Sequence, residues 1–230
     1  IIHQDPDTFS KELVESFSEN KIEILEVIDF QENLIRDDSN LINDIKNSHV
    51  SIATYFRLFI DKHLPSNMTQ IVYLDADVIC IKNFEMEYGE IFKLMKEGNY
   101  VISSRTIGDE SGNEETFQRL GLKNRKYFNA GVMFIDLELW RMKNIEKNLQ
   151  NLLYKGTYKY HDQDILNKYF DGDYLELYEH MNYLMNQEEQ YEKIIIKYVE
   201  ESAKLLHYIG ANKPWHIDSA NSKYSSYYQN

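Results

Sequence analysis

Short apolar runs alternate with segments of helical spacing along this chain, and this alternation constrains the fold more than any other feature. The runs 71–74 and 132–135 have the length and the β-branched or aromatic content of buried strands, whereas 91–96 and 145–154 space their apolar residues as helices do. Such alternation predicts βα units around a central mixed, mostly parallel sheet flanked by helices. Because we find no internal repeat and no Ser/Gly-rich linker, we expect a single α/β domain over residues 1–230.

The same pattern predicts the remaining elements, with helix caps at residues whose side chains can bond free backbone N–H groups. We expect a strand end at 1–2, a helix from Asp7 or Thr8 to about Asn20, a strand at 22–28, helical spacing at 50–60, a strand at 100–103, a helix near 137–141, a helix from a capping Asp162 to Phe170, a helix at 191–203 and a last strand at 205–208.

Charge and composition exclude several classes of protein. Lys and Arg number 25 against 38 Asp and Glu, and the net charge of −13 argues against a nucleic-acid binder, which needs a basic surface to meet phosphates. No apolar run approaches the roughly 20 residues of a membrane helix, and no signal peptide opens the sequence. We therefore expect a cytoplasmic enzyme. Cys80 is the only cysteine and stands in an apolar stretch, so we expect it to be a small buried side chain.

One of four Asp-x-Asp pairs directly follows an apolar run. Asp75 and Asp77 come after 71–74, whereas pairs such as Asp171/Asp173 flank a turn residue. In an extended chain residues i and i+2 point to the same side, so both carboxylates can face one cation. Carboxylate pairs are hard oxygen ligands suited to Mg²⁺ or Mn²⁺. A solvated loop pair is the alternative interpretation.

A third ligand is expected for such a cation, and His207 is the candidate. It follows the run 204–206 and precedes Gly210 and Lys213. A glycine lets the backbone approach an anion, and a lysine supplies positive charge for a phosphate. Taken alone, a histidine after a strand is more often structural than a ligand.

Two further stretches offer ligand-binding groups. Asn129 carries both a donor and an acceptor, and the small Ala130 and Gly131 leave room for a ligand beside the backbone, although a plain turn is the alternative. Asp162 and Gln163 carry groups that hydroxyl-rich ligands attract, although an Asp at a helix start also complements the helix dipole.

These residues belong to an ordered set of motifs that runs through nearly the whole chain. The motifs are Thr54-Tyr55-Phe56-Arg57, Tyr73-Leu74-Asp75-Ala76-Asp77-Val78, Phe128-Asn129-Ala130-Gly131-Val132, Asp162-Gln163-Asp164-Ile165-Leu166-Asn167 and His207-Tyr208-Ile209-Gly210-x-x-Lys213-Pro214-Trp215. From about Ile1 to His216 the set resembles glycosyltransferase family 8, in its bacterial lipopolysaccharide-type galactosyl- and glucosyltransferase branch. The resemblance implies a GT-A fold and a retaining transfer of glucose or galactose from a UDP-sugar to an acceptor hydroxyl, with Mn²⁺ or Mg²⁺ as cofactor.

The resemblance also implies partners and residue roles. UDP-glucose or UDP-galactose would be the donor, and a glycan or lipid-linked saccharide of lipopolysaccharide biosynthesis the acceptor. Asp75, Asp77 and His207 would hold the metal, and Asp162 and Gln163 would act at the sugar. The remaining donor contacts would come from Arg57, Ala76, Asn129, Ala130, Gly131, Gly210 and Lys213, the last two at the pyrophosphate. Because the Gln163 amide is a poor nucleophile, front-face attack by the acceptor is favoured over a covalent intermediate.

The chain departs from the family pattern in places. Members usually begin with a strand whose Asp or Asn grips uridine, and we expect that nucleotide-binding strand to be missing from this sequence. Ser103-Ser104-Arg105 stands where members often carry an acidic sugar contact, and Asp109 lies nearby. A basic tail, common among relatives, is not present, so we expect peripheral membrane contact only through segments not present here.

Other classes of protein share parts of this pattern. A non-catalytic relative that binds UDP or metal is the main alternative to an enzyme, and a self-glucosylating member of the same family is another. A haloacid-dehalogenase-type phosphatase also places Asp-x-Asp after a strand, but Ile79 stands where that class has Thr or a similar residue. A nucleotidyltransferase needs a glycine-rich basic loop near its start, which this sequence lacks.

Overall fold

A computed structural model describes residues 2–3, 28–29, 52–108, 113–185, 193–211, 213–216 and 223–229. The strands are β1 (Ile2–His3), β2 (Ile28–Asp29), β3 (Gln70–Leu74), β4 (Val78–Cys80), β5 (Ile102–Ser104), β6 (Val132–Asp136), β7 (Leu175–Glu176), β8 (Tyr183–Met185) and β9 (Leu205–Tyr208). The α-helices are α1 (Glu85–Gly98), α2 (Glu114–Leu120), α3 (Leu137–Met142), α4 (Ile145–Lys155), α5 (His161–Phe170), α6 (Lys193–Glu201) and α7 (Lys223–Gln229). Two 3₁₀ helices cover Ile52–His63 and Glu179–Met181.

The chain divides into two compact units, one of Ile1–Met68 with Lys143–Tyr169 and one of Thr69–Met142 with Phe170–Asn230. The single domain expected from the sequence stays a prediction. The predicted helix from Asp7 or Thr8, most of the predicted strand at 22–28 and Asp109 lie outside the described residues. No helix in the described parts of the chain has the length and apolar character needed to cross a bilayer.

In the first unit, β1 and β2 pair in parallel, and helices supply the rest of the described structure. The 3₁₀ helix Ile52–His63 bends at Phe59 (φ −118°, ψ 23°), whose ring is fully buried. Helix α5 begins at His161, which has a positive φ of 48°. The backbone N–H of Tyr160 donates to Asp164 Oδ2 at 2.9 Å, so Asp164, rather than the expected Asp162, ties the chain before the helix to its first turn.

The second unit contains two sheets, with strand orders β3-β6-β5-β7 and β4-β9-β8. Strand β6 is antiparallel to both of its neighbours, and β5–β7 and β8–β9 are parallel pairs. The mixed α/β architecture is confirmed. Across the described strands, however, three pairs are parallel and three are antiparallel, so parallel pairing does not predominate as expected.

The core of the second unit forms where α1 packs on β6. Helix α1 buries Ile91, Phe92 and Met95 on one side, as helical spacing requires, and the Phe92 ring lies 5.6 Å from that of Phe134. Each such side chain stabilises the fold by roughly 1.5–3 kcal/mol through removal of apolar surface from water. Cys80 is exposed, contrary to expectation, because β4 lies at one edge of the described three-stranded sheet.

Candidate functional site

A tight turn joins the two sheets of the second unit and carries the Asp-x-Asp pair. Leu74, the last residue of β3, pairs with Val132, and Val78, the first of β4, pairs with His207. The N–H of Val78 donates to the carbonyl of Asp75 at 3.0 Å, which closes the turn. The two carboxylates therefore come together through a turn, rather than through the extended chain we expected.

Three predicted metal ligands meet at this turn. Atoms of Asp75, Asp77 and His207 that could bind a metal all lie within 4.8 Å of one another. His207 Nε2 is 3.3 Å from Asp77 Oδ1 and 4.0 Å from Asp75 Oδ2, and the histidine is buried. The N–H of Tyr208 donates to the carbonyl of Asp77 at 3.0 Å, so the ladder between β4 and β9 sets this spacing.

Lys213 adds a positive charge to the cluster. Its Nζ lies 2.5 Å from Asp77 Oδ2 and donates to the carbonyl of Tyr208 at 2.6 Å. Burial raises the pKa of Asp77, but the neighbouring His207 and Lys213 outweigh burial and lower that pKa to about 2. The Asp77 carboxylate is therefore ionised at neutral pH. Gly210, which lies between Tyr208 and Lys213 in the sequence, is exposed and has a φ of +84° that favours glycine.

The stretch directly before β6, residues 129–131, lies next to His207. A Cβ on Gly131 would stand 2.1 Å from Cε1 of His207, so the imidazole fills the space beside this glycine that we expected to be left for a ligand. Ala130 is buried, whereas Ala76, in the turn, is exposed. Asn129 Oδ1 accepts hydrogen bonds from the N–H of Gly131 and from Asn182, at 3.0 Å each.

Sequence reasoning missed Asn182 and Arg105. Asn182 is fully buried and its Oδ1 lies 3.2 Å from His207 Nδ1. Arg105 Nη1 donates to the carbonyl of Asn182 at 2.8 Å, and its Nη2 pairs with Glu179 at 2.7 Å. The one sequence signal for Asn182 is its place directly before an apolar run, the start of β8.

Three other predicted site residues lie in the first unit. Arg57 Nε is 2.8 Å from Asp162 Oδ2, and both residues are buried. Gln163 is half-buried on α5, and its backbone carbonyl accepts a hydrogen bond from Asn167 at 2.9 Å. The first turn of α5 therefore carries a buried ion pair at Asp162, and Gln163 is the next residue along the helix.

The three potential metal ligands of the second unit, Asp75, Asp77 and His207, fit a divalent metal. Asp77 Oδ1 is buried and accepts no well-aligned hydrogen bond from the described residues, as expected of an atom held for a cation. Two carboxylates and an imidazole are a combination that Mn²⁺ accepts, and they leave positions for water or phosphate oxygens. Asp75, Asp77 and His207 are therefore the residues that could hold the ion.

Solved structures with a similar fold are glycosyltransferases. The galactosyltransferase LgtC, solved with donor and acceptor sugar analogues, matches 89% of this chain and 73% of its own with a TM-score of 0.64 at 23% identity. The bifunctional glycosyltransferase WbbM matches 91% of this chain and 40% of its own, with a TM-score of 0.64 at 20% identity. The fold is thus of the GT-A type.

The sequence comparisons define the family. The model of glycosyl transferase family 8 matches residues 2–219, and the chain belongs to that family. It is 35% identical over 178 residues to a lipopolysaccharide 1,2-glucosyltransferase of Escherichia coli K12, covering 72% of this chain and 50% of the relative. It is 27% identical to a lipopolysaccharide 1,3-galactosyltransferase of Salmonella typhimurium, covering 71% of this chain and 49% of the relative. The chain spans about half the length of these curated relatives.

Proposed function

We propose that this chain carries out a metal-dependent, retaining transfer of a hexose from a UDP-sugar to a hydroxyl of a saccharide acceptor. Membership of family 8 and the similarity to lipopolysaccharide glucosyl- and galactosyltransferases support the reaction class. The observation that carries the proposal is the meeting of Asp75, Asp77 and His207 at one turn, within 4.8 Å. A cytoplasmic location, predicted from the sequence, belongs to the same proposal.

The charges around Asp77 suit the departure of UDP. As the bond to the sugar breaks, negative charge develops on the pyrophosphate and positive charge on the sugar. A divalent ion held by Asp75, Asp77 and His207 would supply Lewis-acid stabilisation of that pyrophosphate. Lys213, whose Nζ lies against Asp77, would donate to a phosphate oxygen, and the exposed Gly210 and Ala76 would let the phosphates approach the backbone.

We assign the sugar end of the donor to Asp162, Gln163 and Arg57. The Arg57–Asp162 ion pair holds the Asp162 carboxylate, and the neutral Gln163 amide can orient a sugar hydroxyl without attacking the anomeric carbon. These properties support front-face attack by the acceptor hydroxyl, with its proton passing to the departing phosphate oxygen. A glycosyl adduct trapped on any side chain would contradict that route.

A donor assay tests the proposal. UDP release is measured with UDP-glucose or UDP-galactose, with Mn²⁺ or EDTA, and with lipopolysaccharide core oligosaccharides as acceptors. We expect release with one of these donors only when metal is present, and product mass increased by one hexose. Asp77→Asn should lower the rate on the order of 100-fold or more, because several kcal/mol of charge stabilisation are lost.

The matched control for that variant is Asp173→Asn, the same change in another Asp-x-Asp pair of the same unit. Asp173 is exposed at a turn and should leave the rate unchanged. Metal-independent release, or equal rates in the two variants, would contradict the proposal. Binding of UDP without any transfer would point instead to the non-catalytic relative.

A further inference from the structure

A chain of hydrogen bonds between carboxamides leads from the backbone of Gly131 to the imidazole of His207. The N–H of Gly131 donates to Asn129 Oδ1 at 3.0 Å, and Asn182 Nδ2 donates to the same oxygen at 3.0 Å. Asn182 Oδ1 then lies 3.2 Å from His207 Nδ1. Asn182 and His207 are both buried, so these groups depend on one another for hydrogen bonds.

The direction of every bond in this chain follows from its first member. A backbone N–H can only donate, so the Asn129 atom that it meets is the carbonyl oxygen. That oxygen can only accept, so the Asn182 atom facing it is the NH₂ group. The other terminal atom of Asn182 is therefore an oxygen, and the His207 nitrogen beside it must carry a proton.

We propose that Asn182 is a positioning residue that keeps a proton on His207 Nδ1 and thereby leaves Nε2 available as a metal ligand. The inference rests on the proposed function, in which His207 holds the ion. Nε2 lies 3.3 Å from Asp77 Oδ1, and that carboxylate attracts a proton to Nε2. If the single proton of a neutral ring stood on Nε2, no lone pair would face the metal. Asn182 opposes that placement by giving the proton an acceptor at Nδ1.

Asn182 is itself held firmly by its surroundings. Its carbonyl accepts a hydrogen bond from Arg105 at 2.8 Å, and its N–H donates to the carbonyl of Glu179 at 3.1 Å. Arg105 also pairs with the Glu179 side chain. The N–H and the carbonyl of Asn182 are thus both tied to the 3₁₀ helix Glu179–Met181, the N–H directly and the carbonyl through Arg105. These bonds fix the direction in which Asn182 Oδ1 points.

Nitrogen-15 NMR of the histidine rings in the full chain tests the proposal directly. Spectra are recorded without metal and with Mg²⁺, which is diamagnetic, at a pH where the neutral ring dominates. We expect His207 Nδ1 to be protonated in both states and the Nε2 signal to change on adding Mg²⁺. A wild-type ring whose Nδ1 carries no proton would overturn the proposal, whatever the variants do.

Two substitutions of Asn182 and one control elsewhere separate an effect on the position of the proton from an effect on folding. Asn182→Leu keeps a similar size but removes the acceptor, so the proton should move to Nε2 and Mn²⁺ affinity, measured by calorimetry, should fall by about 10–100-fold. Asn182→Asp loses the donor to Asn129 Oδ1 but keeps an acceptor beside His207, so the proton should stay on Nδ1. Tyr174→Phe removes a hydrogen bond of 2.7 Å to Thr106 elsewhere in the unit and should change neither readout.

The outcomes are distinguishable from failure of the proposed function. A folded Asn182→Leu protein with the Nδ1 proton and wild-type Mn²⁺ affinity would overturn the positioning role. If that variant does not fold, the wild-type spectrum and Asn182→Asp decide. Absence of sugar transfer alongside a protonated Nδ1 would reject the proposed reaction and leave the role of Asn182 supported.

Discussion

Gly131 is a position of the candidate site at which a larger side chain should be poorly tolerated. Its missing Cβ would lie 2.1 Å from Cε1 of His207, and the imidazole cannot retreat easily because it is buried and bonded to Asn182. We expect Gly131→Ala to destabilise the protein by about 1–3 kcal/mol through overpacking and to weaken Mn²⁺ binding by displacing His207. Denaturant unfolding and metal calorimetry measure the two effects.

Gly89→Ala is the matched control for that change. Gly89 lies on the exposed side of α1, and a Cβ there meets nothing within 4 Å. Alanine should stabilise the helix by about 0.4–1 kcal/mol, since it lowers the entropy of the unfolded chain. If Gly131→Ala behaved like Gly89→Ala, the close approach of His207 to Gly131 would be wrong.

The depressed pKa of Asp77 predicts a pH dependence of stability in the metal-free protein. A carboxyl whose pKa is lower in the folded state contributes stability that is complete above its ordinary value of 3.8 and is lost as the pH falls through about 2. With EDTA present, the protein should therefore unfold at higher denaturant than Asp77→Asn near neutral pH. That difference should shrink in acid, and a difference independent of pH would contradict the contacts of Asp77 with His207 and Lys213.

The proposed metal ligands could be singled out locally, because the Asp75/Asp77 pair follows one apolar strand and His207 lies in another. Asp75, Asp77 and His207 carry that local signal, and the structure brings them together. Asn182 carries almost none, because its importance depends on contacts with Asn129 and His207, which are 53 and 25 residues away. Only the folded chain shows that a carboxamide before β8 faces the ring.

At the scale of elements, substitutions in helix α1 test whether the core of the second unit lies on the side of the helix that the spacing of its apolar residues predicts. Met95 is fully buried against β6, whereas Met86 on the same helix is 87% exposed. Met95→Ala should lower the free energy of unfolding by about 2–5 kcal/mol because it leaves a cavity. Met86→Ala should change it by less than about 0.5 kcal/mol. Equal effects in chemical denaturation would place the core elsewhere.

The segment after β9 carries the predicted phosphate contact. Lys213→Ala should weaken UDP binding by about 10–100-fold in the presence of Mn²⁺, since a charge-assisted hydrogen bond is lost, and should weaken uridine much less. Calorimetry with the two ligands measures both affinities. Lys204→Ala is the control, because Lys204 pairs with Glu87 at 3.2 Å. Equal losses for UDP and uridine in Lys213→Ala would remove it from the site.

The described strands could be located from the sequence more accurately than their pairing. The run at 132–135 predicted β6 to within one residue, because a strand buried on both faces is apolar throughout. Its antiparallel pairing with both β3 and β5 depends on how the connections return the chain, which apolar runs do not encode. The exposure of Cys80 was missed for the same reason, since edge position follows from sheet order.

At the scale of the whole molecule, the predicted site residues fall into both compact units. Asp75, Asp77 and His207 lie in the second unit, and Arg57 and Gln163 lie in the first. The family match runs through both, over residues 2–219. Because the proposed metal ligands lie in the folded second unit, the binding energy of a nucleotide should appear as increased stability of the folded state.

The most direct test is a thermal-shift titration of the full chain with UDP in the presence of Mn²⁺ or EDTA. A ligand at about 100 times its dissociation constant stabilises the folded state by roughly 2.7 kcal/mol, which gives a readily measured increase in melting temperature. We expect UDP to stabilise the protein in the presence of Mn²⁺ and to stabilise it little with EDTA. An unchanged melting temperature under both conditions, or an equal increase under both, would contradict a metal-dependent nucleotide-sugar site.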